Sequence, residues 1–133
     1  MGVILHYPQK EVNMNGPIKI NDSEFEDVVL KSHLRAVVEF WSPGCGPCEM
    51  YVSIFEELAT IYKAKLVVAK YNIDENSKVA KQYGVLGAPT IFFMKKGEIV
   101  HRINGYLSID ILKKEVAKFV GKSSSIIKQV KVG

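Results

Sequence analysis

Hydrophobic positions along this chain fall into two patterns that take turns. Ala36–Trp41 and Leu66–Tyr71 are nearly unbroken apolar runs rich in Val, Phe and Tyr, as expected of strands buried on both faces. Thr90–Met94 and Ile99–Ile103 are two further strands, separated by Lys95-Lys96-Gly97-Glu98, a turn sequence that reads as a hairpin. Ile18–Ile20 is a short strand candidate. Between them the apolar residues adopt helical spacing. Phe25, Val28, Val29 and Leu30 follow Ser23-Glu24-Phe25-Glu26, which has capping-box form, and that helix is expected to end near Ser32-His33. Tyr51, Ile54, Phe55, Leu58 and Ile61 line one side of a helix expected from Gly46 to about Tyr62. Glu75–Tyr83 reads as a short helix stopped by Gly84, and Ser108–Val120 as a last one stopped by Gly121.

The order is β-α-β-α-β-α-β-β-α. Strands alternating with helices imply parallel pairing, and the late hairpin adds an antiparallel edge. The expectation is a three-layer α/β/α domain, with a central mixed sheet of about five strands flanked by about four helices. It occupies residues 16–121, between an extension (1–15) and a basic tail (122–133) too short to form a domain, for which disorder is the default.

Charge changes this picture little. The net charge is +4, but residues 122–133 hold three lysines and no acid, while 16–121 hold 14 basic and 13 acidic side chains. A domain near neutrality has no electrostatic footprint for nucleic acid. No apolar run approaches the roughly 18–20 residues of a membrane span. The first residues lack the basic start and apolar length of a secretory signal, so a cytoplasmic protein is expected; it is also expected to be a monomer.

Candidate chemistry concentrates at one point. The chain has two cysteines, in Trp41-Ser42-Pro43-Gly44-Cys45-Gly46-Pro47-Cys48, where an expected strand feeds an expected helix. Helix neighbours three apart have Cβ atoms roughly 5–6 Å apart, and a disulfide needs roughly 3.5–4.5 Å, so a small adjustment lets dithiol and disulfide share one backbone. Helix N-terminal N–H groups stabilise thiolate. Cys45 is expected to be the more exposed thiol and Cys48 the shielded one that resolves a mixed disulfide. Pro47 suits a helix start, where its missing N–H is not needed. A zinc half-site is a rival reading, but structural zinc takes four ligands, and His6, His33 and His101 show no ligand-like spacing to the pair; no metal is expected. Two inert buried thiols are the other rival.

Phe40-Trp41-(x3)-Cys45-Gly46-Pro47-Cys48 strongly resembles the active site of the thioredoxin family. Gly87-Ala88-Pro89-Thr90 resembles its cis-proline loop, and Lys70-Tyr71-Asn72-Ile73-Asp74, the Gly97 turn and Gly105 match further positions over residues 17–120. The resemblance implies a protein-disulfide reductase that needs no cofactor beyond its own redox-active pair. Disulfide-containing client proteins and a thioredoxin-reductase-type electron donor are the implied partners. Cys45 would attack and Cys48 resolve. Pro89 would be cis, the backbone of Ala88 would pair with an extended client segment, and Gly87 and Gly105 would keep that groove open. Without the resemblance Pro89 reads as an ordinary strand-start proline.

Two departures stand out. Gly44 replaces the tryptophan that usually precedes the first cysteine, removing an aromatic flank. Glu39 replaces the usual buried aspartate; it is expected to take a proton from Cys48, against the plainer reading of a surface acid at a strand edge. Lys70 is expected either to pair with Glu39 across adjacent strands or to be solvated. Trp41 is expected to pack beside the site, and Gly46-Pro47 between the thiols resembles reducing members rather than isomerases. A specialised oxidoreductase or isomerase, motivated by Gly44, and a non-catalytic client-binding module remain as alternatives.

Overall fold

In the computed structural model, residues 16–132 are described along the backbone and residues 16–121 with their side chains. The extension 1–15 and Gly133 lie outside the described residues. Five strands form one sheet: β1 (Ile18–Ile20), β2 (Arg35–Trp41), β3 (Leu66–Asn72), β4 (Thr90–Lys95) and β5 (Glu98–Asn104), in the order β1-β3-β2-β4-β5. β1, β3 and β2 run parallel, while β4 is antiparallel to β2 and β5 to β4. The helices are α1 (Gly46–Met50), α2 (Val52–Ile61), α3 (Lys78–Gln82) and α4 (Ile109–Val132), with a π-helical turn at Glu26–Leu30.

β2 lies at the centre of the sheet, and alternate residues feed different cores. Val38 and Phe40 join Tyr71 and Phe92 beneath the π-helical turn and α3, and Val37 joins Val68, Ile91 and Phe93 beneath α2 and α4. This is the expected three-layer arrangement. Phe40 touches both Tyr71 and Phe92, with ring centroids 4.9 and 4.6 Å away. Truncating a fully buried aromatic of this kind to alanine costs about 3–5 kcal/mol. The β4–β5 connection is a tight turn in which Lys96 (φ 49°) and Gly97 (φ 79°) both take positive φ, the conformation that follows the twist of paired strands. A Cβ on Gly97 would also stand 3.2 Å from the Leu30 carbonyl oxygen.

Five expectations change. The first helix is a single π-helical turn, closed by the Lys31 N–H on the Glu26 carbonyl. The reciprocal box forms at Asn21 and Glu24 instead of Ser23 and Glu26: Asn21 Oδ1 accepts the Glu24 N–H at 2.9 Å, and Glu24 Oε1 accepts the Asn21 N–H at 3.0 Å. The helix expected over Gly46–Tyr62 is broken at Tyr51 into α1 and α2. The helix expected from Glu75 starts at Lys78, because the Asp22 carboxylate captures the N–H groups of Ser77, Lys78 and Val79 and sets its first turn. Gly84 does end α3: with φ 68° it lets the Val85 N–H reach back to the Ala80 carbonyl at 2.8 Å. Gly121 does not end α4, which runs on to Val132. Gly121 lacks the positive φ of a helix-ending glycine, and a glycine inside a helix costs only about 1 kcal/mol relative to alanine.

Candidate active site

The cysteine pair sits where β2 ends and α1 begins. Cys45 and Cys48 are joined by a disulfide, with Cα atoms 5.2 Å apart. Cys45 is the N-cap of α1; its Sγ accepts the Cys48 N–H at 3.1 Å, and Pro47 occupies the first turn. A sulfur at the N-cap is where unpaired helix N–H groups favour negative charge. Cys45 is partly exposed and Cys48 is buried, so a disulfide partner reaches Cys45 first. The backbone behind the pair is fixed by the Cys45 N–H on the Ser42 carbonyl and by the Ile73 N–H on the Trp41 carbonyl.

The second half of the site is the loop before β4. The Ala88–Pro89 peptide is cis. Thr90 Oγ1 donates to the Gly87 carbonyl at 2.8 Å, bracing the turn. The Gly105 N–H (φ 94°) donates to the Pro89 carbonyl at 2.8 Å, which ties the end of β5 to this loop. Gly44, Gly46 and Gly87 have open space where a Cβ would stand, as does Gly105 apart from its positive φ. Apolar side chains flank these glycines: Leu86 is 96% exposed, and Met50 and Tyr106 also face solvent.

Glu39 is wholly buried two residues before the end of β2, and neither of its carboxylate oxygens has a hydrogen-bond partner among the described residues. It is therefore not a surface acid. The β2–β3 register sets it opposite Lys70, whose Nζ lies 3.9 Å from Glu39 Oε1 and 5.0 Å from the centre of the Trp41 ring. Burial pushes the Glu39 carboxyl up to about 7, and the Lys70 ammonium opposes that rise. A carboxyl that titrates near neutrality is suited to take up and release a proton at physiological pH. Trp41, Lys70 and Glu39 are thus gathered at the end of the β2–β3 pair where β2 hands over to the cysteines.

Three contributors are invisible to motif reading. Tyr51 looks like an ordinary inward helical residue, yet its hydroxyl donates to the Leu107 carbonyl at 3.1 Å and accepts the Leu107 N–H at 2.7 Å. Asp22 lies far from the cysteines in sequence and organises α3. Leu86 is one residue outside the recognised loop motif, and only its exposure singles it out. Among the described residues no group of three or more His, Cys, Asp or Glu side chains is arranged to hold a metal ion, and no helix is long and apolar enough to cross a membrane.

This geometry agrees with what the chain is similar to. The Thioredoxin family model matches residues 16–118. The thioredoxin of Chlorobaculum thiosulfatiphilum is 36% identical over 100 residues, covering 75% of this chain and 93% of that protein. Thioredoxin 1 of a Nostoc species is 40% identical over 92 residues, covering 69% of this chain and 86% of that protein. Among solved structures, a mutant thioredoxin from Halobacterium salinarum superposes with a TM-score of 0.71 at 30% identity, covering 82% of this chain and 95% of the other. These relatives favour thiol–disulfide exchange over the binding-module and isomerase alternatives. The chain belongs to the thioredoxin family, and the chemistry of its Cys45–Cys48 pair is that of a protein-disulfide oxidoreductase.

Proposed function

We propose that this protein works in the reducing direction, with Cys45 as nucleophile, Cys48 as resolving thiol and Glu39 as proton acceptor. The reduced Cys45 thiolate attacks one sulfur of a client disulfide, and the other client sulfur leaves as a thiolate. Cys48 gives its proton to Glu39 and attacks Cys45 Sγ; the second client thiolate leaves, and the Cys45–Cys48 disulfide remains. Two electrons pass to the client. Lys70 restrains the Glu39 pKa from rising further. The client lies as an extended segment against Ala88 and Pro89, with Trp41, Gly44, Gly46, Pro47, Gly87 and Gly105 forming the surrounding surface.

The observation that carries this reading is the buried, unbonded Glu39 carboxyl in the strand that leads into an N-cap disulfide. A purely structural acid would be hydrogen-bonded. A reductase of the thioredoxin-reductase type recharges the pair, and the protein works in the cytoplasm, where the thiol pool favours reduction. Residues 16–121 form the working domain, with 1–15 and 122–133 as flanks.

The test is insulin reduction driven by dithiothreitol. The wild-type protein is expected to accelerate it, and Cys45→Ser to abolish the acceleration. Cys48→Ser is expected to accumulate a mixed disulfide on Cys45. Full activity in the Cys45→Ser variant would exclude the assignment.

A further inference from the structure

Tyr51 separates α1 from α2 with φ −93° and ψ −7°. Sharp breaks in helices usually sit at proline, at glycine or at an inserted group, and Met50-Tyr51-Val52-Ser53 contains neither proline nor glycine. What the structure offers at this point is the side chain itself. Tyr51 is fully buried, and its ring stacks on Tyr106 with centroids 5.0 Å apart. Its hydroxyl is used twice, as donor and as acceptor, on the backbone of one residue, Leu107.

That residue matters because of its neighbours. Leu107 follows Gly105 by two positions, and the Gly105 N–H is bonded to the Pro89 carbonyl. On the other side, the Tyr51 N–H is bonded to the Cys48 carbonyl at 3.0 Å. A continuous series of short links therefore runs from the resolving cysteine through the Tyr51 hydroxyl to the cis-proline loop.

We infer that Tyr51 is a positioning residue: its hydroxyl sets the spacing between the cysteine pair and the Pro89 loop along which a protein client is held. The inference rests on the client reading given above. It separates two classes of substrate. A small disulfide needs only an accessible Cys45. A protein disulfide must lie on the loop and present its sulfur to Cys45 at once, so it depends on the spacing between them.

The experiment is Tyr51→Phe, which keeps the ring and removes the hydroxyl. Insulin reduction, with dithiothreitol as the electron source, is compared with the single-turnover reaction of pre-reduced protein, freed of dithiothreitol, with 5,5′-dithiobis(2-nitrobenzoate). The expected result is a rise in KM for insulin of about 3- to 10-fold, the range a lost buried hydrogen bond gives, with kcat and the rate on the small disulfide held within two-fold. An unchanged insulin KM, or an equal loss on both substrates, would overturn the positioning role. A wild-type protein inert toward both substrates would instead overturn the function proposed above. Hydrogen exchange on the wild-type protein gives a second check that needs no variant. The Leu107 amide is expected to be protected in both redox states, and exchange as fast as that of a solvent-exposed amide would overturn the inference.

Discussion

Asp22 and Glu39 are both carboxylates drawn into the protein, and the fold treats them in opposite ways. Asp22, in the turn after β1, is surrounded by donors: the Tyr71 hydroxyl at 2.5 Å and the N–H groups of Ser77, Lys78 and Val79. Burial alone would push its carboxyl up, but these hydrogen bonds outweigh that and hold it below the usual range. Glu39, at the centre of the sheet, receives no hydrogen bond, and burial dominates. The first acid assembles an element, since α3 begins where Asp22 holds its first N–H groups. The second has the Lys70 ammonium at 3.9 Å for its charge, which opposes the effect of burial without cancelling it. Its carboxyl is held near its proton-exchange point, in the strand that leads to the cysteines.

Replacing each acid tests this contrast, and the effects on stability should have opposite signs. Asp22→Ala removes a charged helix cap and leaves the buried Tyr71 hydroxyl without its acceptor. It is expected to cost about 3 kcal/mol, from roughly 1 for the cap and 1.5–3 for a hydrogen bond to a charged group, as measured by urea denaturation at pH 7. A loss below 1 kcal/mol would mean that α3 forms without Asp22.

Glu39→Gln is expected to stabilise the protein at pH 8 and to change it little at pH 5. A carboxyl whose folded pKa is raised binds its proton more tightly when folded, so its contribution is fully present below the unfolded value of 4.5 and is lost as pH rises through about 7. At about 1.4 kcal/mol per pKa unit the full loss is roughly 3 kcal/mol, and the unbonded amide in the variant reduces the observed gain to about 2. Asp22 gives the opposite limb: its pKa is lowered, so its contribution is present above 3.8 and is lost as pH falls through the folded value. A pH titration of stability in the wild-type and Glu39→Gln proteins that coincides from pH 5 to 8 would erase the distinction. The variant is also expected to slow insulin reduction and to flatten its pH–rate profile around 7.

Lys70→Met gives the smallest effect and sharpens the comparison most. Among the described residues, Lys70 is the neighbour that lowers the Glu39 pKa. With Nζ 3.9 Å from Glu39 Oε1, its removal is expected to raise the Glu39 pKa further above 7. The side-chain carboxyl resonance followed by NMR is the readout, and an unchanged or lower pKa would show that Lys70 does not hold the Glu39 pKa down.

Much of this was legible in the chain. The buried runs at Ala36–Trp41 and Leu66–Tyr71 and the Lys96-Gly97 turn give the strands, because burial on both faces and positive φ leave strong local marks. The thiol spacing and Pro47 mark the helix start for the same reason. What stayed hidden depends on contacts remote in sequence. Ser23-Glu26 has capping-box form, but Asn21 and Glu24 make the box two residues earlier; the start read at Glu75 gives way to one set by Asp22, a partner that no local window contains. Tyr51 was legible only as an apolar position, since periodicity records where a ring points and not what its hydroxyl meets. Gly121 reads as a stop only if it takes positive φ, and composition does not encode that choice.

The bare surface around the cysteines has a consequence for change over time. Gly44, Gly46 and Gly87 each lack positive φ and have empty space where a side chain would begin, so none is required by the backbone or by packing. New side chains can be added at these three positions without disturbing the core beneath them. At these three positions, therefore, the surface can drift or be engineered while the core stands still.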